Sequence, residues 1–286
     1  MKLDKNTNIL IVGLGVIGGG YARALSEAGY RVSCITKEAD DVRYAMENKL
    51  ALYATTEVEP ELIGSAELII FALYPTVFLD WIREHGALIK PGTLVTDVTG
   101  VKTAIVGQIQ QMLRGVEFIS AHPMAGKERS GVEYSDPAVF RGANYIVTPT
   151  ENNTPEAIAI CKELGRILGF ARISELCPEE HDEMIAFVSQ LTHCIAVTLM
   201  NCTGHRNLER YTGDSFRDLT RIAKINDKMW CELFMMNRDA LLKEIDDFSA
   251  ALTNFRTLLA DGQEEKMRAL MRESCEKRML FDKPAN

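Results

Sequence analysis

The stretch NILIVGLGVIGGG (8–20) constrains the fold more than any other part of the chain. A short run of large aliphatic residues ends in glycine, and a helical pattern begins at once. Gly13, Gly15 and Gly18 fit G-x-G-x-x-G in the strand–turn–helix setting that gives this pattern its meaning. Gly13 permits a tight turn, Gly15 lets backbone approach a pyrophosphate, and Gly18 lets the helix pack closely on the strand. The helix N-terminus then faces the anion. The loop Gly13-Leu14-Gly15-Val16-Ile17-Gly18 is therefore expected to hold a dinucleotide.

The rest of the first half extends this start. The runs 31–36, 67–73, 92–98, 116–120 and 143–149 are rich in β-branched residues and apolar throughout rather than alternating, as strands buried on both faces are. Helical patterns at 16–29, 75–86, 101–113 and 155–169 separate them, and a last short strand is expected at 171–176. Strand alternating with helix predicts an α/β, Rossmann-type doubly wound sheet. Pro178 marks a change. Beyond it only helices are expected, one over 179–203 and a very long one over 227–262, capped by Asp227 and closed by Gly262. Its apolar positions, among them Trp230, Leu233, Leu241, Ile245 and Phe248, recur by threes and fours. At 1.5 Å per residue it would run on the order of 50 Å. That exceeds what a small domain covers, so the reading is residues 1–177 as a dinucleotide-binding domain and 178–286 as an all-helical domain through which the chain forms a homodimer.

Composition narrows the partners. Lys and Arg total 32 against 40 Asp and Glu, a net charge of −8, which argues against nucleic acid or an anionic membrane. No apolar run approaches the roughly 18 residues of a membrane span. The seven cysteines (34, 161, 177, 194, 202, 231 and 275) are scattered, with no C-x-x-C pair, so no metal site and no disulfide framework is expected. The expected compartment is the cytoplasm, with most cysteines acting as small buried apolar groups. At the end of the second strand, where an acid ordinarily binds the ribose diol of NAD, stand Thr36 and Lys37. A hydroxyl and a cation favour a 2′-phosphate, hence NADP over NAD, with Glu38 available for the ordinary role after a shift of register.

Four further segments carry the chemistry: TDVTGVK (96–102), AHPMAGKERSG (121–131), SQLTHCIA (189–196) and FRDLTRIA (216–223). Together with the glycine loop and MWCELFMMN (229–237), in this order, they resemble the prephenate/arogenate dehydrogenase family of tyrosine biosynthesis. The resemblance spans residues from about 8 to 260. It implies an enzyme that passes the C4 hydride of a small anionic cyclohexadienyl substrate to NAD(P) while C1 loses CO2 and the ring becomes aromatic. It places His122 as the group accepting the hydroxyl proton, a role suited to a neutral imidazole. It places Arg221 on a substrate carboxylate, where a planar guanidinium binds with two hydrogen bonds, and His193 across the substrate. Lys102, Glu128 and Ser130 join them as substrate-binding residues, with Lys127 adding cationic character to the entrance. Two positions depart from the family. Gly100 stands where relatives usually have a serine, so either Thr99 supplies that hydroxyl as a catalytic residue or water or backbone orients His122. Gln190 and Thr192 replace a histidine and a proline. The competing readings are a Rossmann-plus-helical dehydrogenase acting on a β-hydroxyacid or imine, and a non-catalytic dinucleotide sensor.

Overall fold

The structure, a computed structural model, describes residues 2–127 and 129–281. It contains two compact units, residues 1–238 and 239–286.

The first unit is built on β1 (Asn8–Val12), β2 (Arg31–Ile35), β3 (Tyr53–Thr55), β4 (Leu68–Phe71), β5 (Leu94–Asp97) and β6 (Glu117–Phe118). They form one all-parallel sheet in the order β3-β2-β1-β4-β5-β6. This is the dinucleotide-binding order, with its topological reversal between β1 and β4. Alternate strand residues enter opposite cores. Ile9, Ile11, Leu68 and Ile70 join one cluster with Tyr21 and Leu25 of α1 (Val16–Glu27), and with Ile160 and Leu164 of a later helix, α6 (Pro155–Ile167). Leu10, Val12, Ile69 and Phe71 join the other. There they meet Ile63 of α3 (Pro60–Ser65), Phe78 and Ile82 of α4 (Pro75–His85), and Ile109 of α5 (Val106–Met112). Covering both faces is what demands uniformly apolar strands. Helix α2 (Ala39–Glu47) and the short strand β3, which the sequence patterns did not single out, complete the β2 side.

The expected strand over 116–120 is two strands in two sheets. After β6 the chain passes through Ile119 into β7 (Ser120–Pro123), which pairs antiparallel with β8 (Asn144–Thr148); β8 pairs parallel with β9 (Arg172–Glu175). The long β7–β8 connection packs onto α1 and accounts for Gly19 and Gly20 there. A Cβ on Gly19 would lie 2.8 Å from Ser135 Cβ, and one on Gly20 would lie 2.9 Å from the Phe140 ring.

Among the described residues only helices follow β9. The Cys177 thiol accepts from Glu180 N while Glu180 reaches back to Cys177 N, and Pro178 takes the first helical position of α7 (Pro178–Ile185). A π-helical segment, Ala186–Leu191, joins α7 to α8 (Thr192–Asn201). The helical run Pro178–Asn201 has the length and apolar composition of a membrane span, counter to the expectation that no apolar stretch approaches one. Its buried His181, Asp182 and Gln190 are hydrogen-bonded to neighbouring protein groups, the pattern of a helix packed on protein. After α9 (Asp214–Thr220) and a single turn, Arg221–Ala223, comes α10 (Asp227–Met236).

The long helix expected over 227–262 is interrupted. Asn237 leaves helical geometry at φ −119°, and its side-chain amide donates to Asp182 O at 2.8 Å and to Gln190 Oε1 at 2.9 Å. The N-cap is Asn226, accepting from Met229 N, rather than Asp227. Helix α11 (Arg238–Ala260), closed by Gly262 at φ +61°, and α12 (Glu264–Met279) make up nearly all of the second unit. The cysteines also depart from expectation. Only Cys34 and Cys161 are buried, their thiols pushed up by burial to about 12 and about 11, whereas Cys202, Cys231 and Cys275 are exposed.

Candidate active site

The glycine loop has the geometry a dinucleotide requires. Gly13 adopts φ +99°, and its N–H donates to Ile35 O at 2.8 Å, which sets the loop beside the end of β2. A Cβ on Gly18 would stand 2.0 Å from Gly13 O, so only glycine lets α1 begin this close to the loop. Gly15 is exposed, and a Cβ there would meet nothing within 4 Å. No side chain caps α1 and no acid occupies its first turn. The N–H groups of that turn are thus left without a side-chain cap, as a pyrophosphate site needs. The nicotinamide dinucleotide fits these residues.

At the end of β2 the arrangement is more acidic than Thr36 and Lys37 imply. Thr36 is buried and donates its hydroxyl to Asp41 Oδ2 at 3.2 Å, while Lys37 is exposed. Burial holds the Asp41 carboxyl above its ordinary range, and the nearby Glu133, Glu38 and Asp40 add to that rise against the Thr36 hydrogen bond.

The C-terminal end of β5 forms the second half of the site. Asp97 is buried and accepts from Thr99 N (2.9 Å), Ala121 N (3.2 Å), and the hydroxyls of Thr99 and Ser120. Lys102 is fully buried. Its ammonium donates to Asp97 Oδ2 at 3.1 Å, Thr99 Oγ1 at 3.2 Å and Ala121 O at 2.7 Å. Burial lowers its pKa, against the opposing pull of Asp97 and Asp182. These contacts correct two expectations. The Thr99 hydroxyl is engaged by Asp97 and Lys102, and Lys102, fully buried, is an interior tie between β5 and β7 rather than a group presented to substrate.

His122 lies within β7, opposite Ile146 of β8, and not in the loop after it as the sequence pattern implied. Its ring approaches His181 on α7, with Nδ1 2.9 Å from His181 Nε2. His181 Nδ1 in turn lies 2.7 Å from Asp182 Oδ1. The Asp182 carboxylate accepts from Lys102 N at 2.9 Å and Thr103 N at 2.8 Å. Burial opposes its ionisation, but the hydrogen bonds from His181 and Thr103 prevail and hold it below the usual carboxylate range. Burial also lowers the pKa of His181, with Asp182 opposing. It lowers that of His122 well below 6.5, assisted by His181 and Lys102. Both rings are therefore neutral near pH 7. A Cβ at Gly100 would sit 3.8 Å from His122 Cε1 and 3.6 Å from Leu233 Cδ1, ordinary contact distances; glycine leaves that space without a side chain.

His181 and Asp182 were missed by the sequence reading. The signal was the adjacent His-Asp pair just inside the helix that Pro178 opens, but nothing local connects it to His122, 59 residues earlier.

The remaining predicted residues are placed apart from this series. His193 on α8 donates Nδ1–H to Ser189 O at 2.8 Å, and Trp230 of α10 lies against its ring, centroids 3.6 Å apart. Arg221 opens the turn that packs on α8. Helix α10 thus reaches from His193, through Trp230, to the Gly100 position, through Leu233. Gln190 is buried and bonded to Leu233 O and Asn237, a structural tie. Ser130 is exposed; Lys127 bonds Tyr134 O and pairs with Asp136 at 3.5 Å. Glu128 lies outside the described residues.

Comparison with known proteins decides the family. Residues 21–173 match the model of the prephenate dehydrogenase nucleotide-binding domain, and residues 177–273 match that of the prephenate dehydrogenase dimerization domain. The chain belongs to the prephenate dehydrogenase family. It is 28% identical to prephenate dehydrogenase of Bacillus subtilis over 93% of this chain and 74% of that one. It is 26% identical to cyclohexadienyl dehydrogenase of Zymomonas mobilis, over 96% of each. The crystal structure of prephenate dehydrogenase from A. aeolicus in complex with hydroxyphenyl propionate and NAD+ superposes with a TM-score of 0.90 at 27% identity, covering 98% of this chain and 100% of that one. In this family setting the fold is a Rossmann-type sheet followed by helices.

Proposed function

We propose that this protein is a cytoplasmic, NAD-dependent dehydrogenase that oxidatively decarboxylates prephenate or arogenate. The observation that carries the reading is His122, a neutral imidazole held at the junction of the two sheets, beside the C-terminal ends of the strands where open α/β folds bind ligands. The Gly13–Gly18 loop would hold the nicotinamide dinucleotide, which would supply the hydride acceptor. His122 takes the proton of the substrate's C4 hydroxyl as the C4 hydride leaves. The bond from C1 to its carboxylate then breaks, CO2 departs, and the freed electron pair completes the aromatic ring. Burial supports this role, since a base whose pKa is depressed stays unprotonated through the physiological range.

Arg221 and His193 are assigned to substrate anion binding. Their support is shared placement: both belong to the α8 surface that α10 joins to the Gly100 segment. Thr36 and Lys37 favoured NADP in the sequence; the surroundings favour NAD. A 2′-phosphate beside β2 would meet Glu38, Asp41 and Glu133, with exposed Lys37 as its cation and Arg43 already paired with Asp40 at 2.6 Å. The boundary between cofactor and substrate regions is placed at 177/178. Dimerisation through the helical region is supported by the exposed apolar side chains of Phe248, Leu252 and Leu259 on α11.

The test is nicotinamide reduction with prephenate or arogenate against NAD or NADP, for wild type and His122→Asn. The expected result is turnover with NAD, nearly abolished in the variant while cofactor binding persists. Full turnover in His122→Asn, or silence in all four combinations with cofactor bound, overturns the reading; the silent result favours the dinucleotide sensor.

A further inference from the structure

We propose that His181 and Asp182 are positioning residues, which together fix the tautomer and orientation of His122. The proposal rests on the assignment of His122 as the base. It follows from the hydrogen bonds in order. Ionised Asp182 can only accept, so His181 Nδ1 carries the proton and donates to Oδ1 at 2.7 Å. His181 is neutral, so its Nε2 has a lone pair and accepts from His122 at 2.9 Å. The proton of His122 must then sit on Nδ1, and its Nε2 presents the lone pair that a hydroxyl proton requires. The other tautomer would put a proton on that atom and make His122 a donor, with no basic lone pair toward substrate.

Three observations make this pair the source of the orientation. Gly100 offers no side chain where a hydroxyl would abut the ring. The Thr99 hydroxyl belongs to Asp97. Asp182 is itself immobilised by the backbone N–H groups of Lys102 and Thr103, on the loop that follows β5, so the series is anchored to the sheet at both ends. The charged and titratable groups around His122 are Lys102 and Asp97 on the β5 side and His181 and Asp182 on α7. The Lys102 ammonium disfavours an imidazolium, and Asp182, one ring away, offsets it when His122 gains the proton.

Asp182→Asn tests the tautomer directly. Thr103 N reaches Oδ2 at 2.8 Å, and Lys102 N lies between the two oxygens, 2.9 Å from Oδ1 and 3.2 Å from Oδ2; only an asparagine oxygen at the Oδ2 position leaves both donors an acceptor, and this turns the NH2 toward His181. The series then reverses, and His122 becomes protonated on Nε2. The expected result is a fall in kcat of about 10²–10⁴-fold, with cofactor affinity retained and 15N resonances of the His122 ring showing the proton moved from Nδ1 to Nε2. His181→Gln, whose carbonyl can accept from His122 Nδ1, should keep far more turnover than His181→Phe, which cannot accept. Wild-type kcat in Asp182→Asn and in His181→Phe overturns the proposal if His122→Asn is inactive, and leaves the base assignment standing. A loss of kcat with the His122 tautomer unchanged overturns it equally. Turnover in His122→Asn removes the base assignment itself. Should Asp182→Asn not fold, the Gln and Phe variants at 181 decide, and equal activity in both refutes the positioning role.

Discussion

Replacing Lys102 by methionine separates an interior tie from a substrate ligand. Lys102 and Asp97 are both fully shielded from solvent, and the ammonium has three acceptor groups within 3.2 Å. Methionine keeps much of the volume and removes the charge, leaving the Asp97 carboxylate buried without a cation. Breaking one side of such a pair costs about 3–5 kcal/mol. The lower end applies here for two reasons. Asp97 keeps four neutral donors, from Thr99 N, Ala121 N and the hydroxyls of Thr99 and Ser120. Burial has also already weakened the hold of Lys102 on its proton. The expected loss is therefore about 3 kcal/mol. At the roughly 2–4 °C per kcal/mol of a domain this size, Tm falls by roughly 6–12 °C.

The assay is calorimetry or urea unfolding, read beside steady-state kinetics. Asp97→Asn/Lys102→Met should recover part of the loss, because the single variant leaves an uncompensated charge that the double variant lacks. A substrate-binding Lys102 would give the opposite pattern, with Tm held and KM for the cyclohexadienyl substrate raised. A Tm within about 1 °C of wild type together with a raised KM would refute the interior reading drawn from the hydrogen bonds.

Other consequences are as direct. Gly18→Ala places a methyl 2.0 Å from Gly13 O and 2.9 Å from Ala72 Cβ; it should cost about 1–3 kcal/mol and weaken NAD binding in a fluorescence titration, and an unchanged Kd with unchanged stability would contradict the close approach. His122 and His181 both have folded pKa values below the ordinary 6.5. Above pH 6.5 neither state binds their protons and the pair contributes nothing to the pH dependence. As pH falls through 6.5 the unfolded chain takes up protons that the folded chain refuses, so stability drops by up to about 1.4 kcal/mol per pH unit for each histidine. Urea midpoints between pH 5 and pH 7 should fall less steeply for His181→Gln than for wild type; equal slopes would sink the assignment. For the same reason the acid limb of kcat/KM lies below the ordinary histidine value, and a limb at or above 6.5 would count against a desolvated base.

What could be read from the sequence follows from how local each signal was. The glycine loop and the apolar runs are contiguous, and each reports its own burial, so the parallel sheet was visible before any contact was known. The break at Asn237 was not, because the apolar spacing of Trp230, Leu233 and Leu241 continues across it; what ends the helix is an amide drawn to Asp182 and Gln190, some 50 residues earlier. The same limit applies to the residue that orients His122. With serine absent at position 100, Thr99 was the nearest hydroxyl in the chain, and proximity in sequence made it the natural substitute. Burial decides otherwise. Asp97 in the interior draws the donors around it, the Thr99 hydroxyl included, because a buried carboxyl group without hydrogen-bond partners is costlier than any use of that hydroxyl at the surface of the site. The base must then find its orienting partner outside the segment that carries it. The helix opened by Pro178 supplies one, and the backbone of that same β5 loop, through Lys102 N and Thr103 N, fixes the Asp182 carboxylate that holds the partner in place.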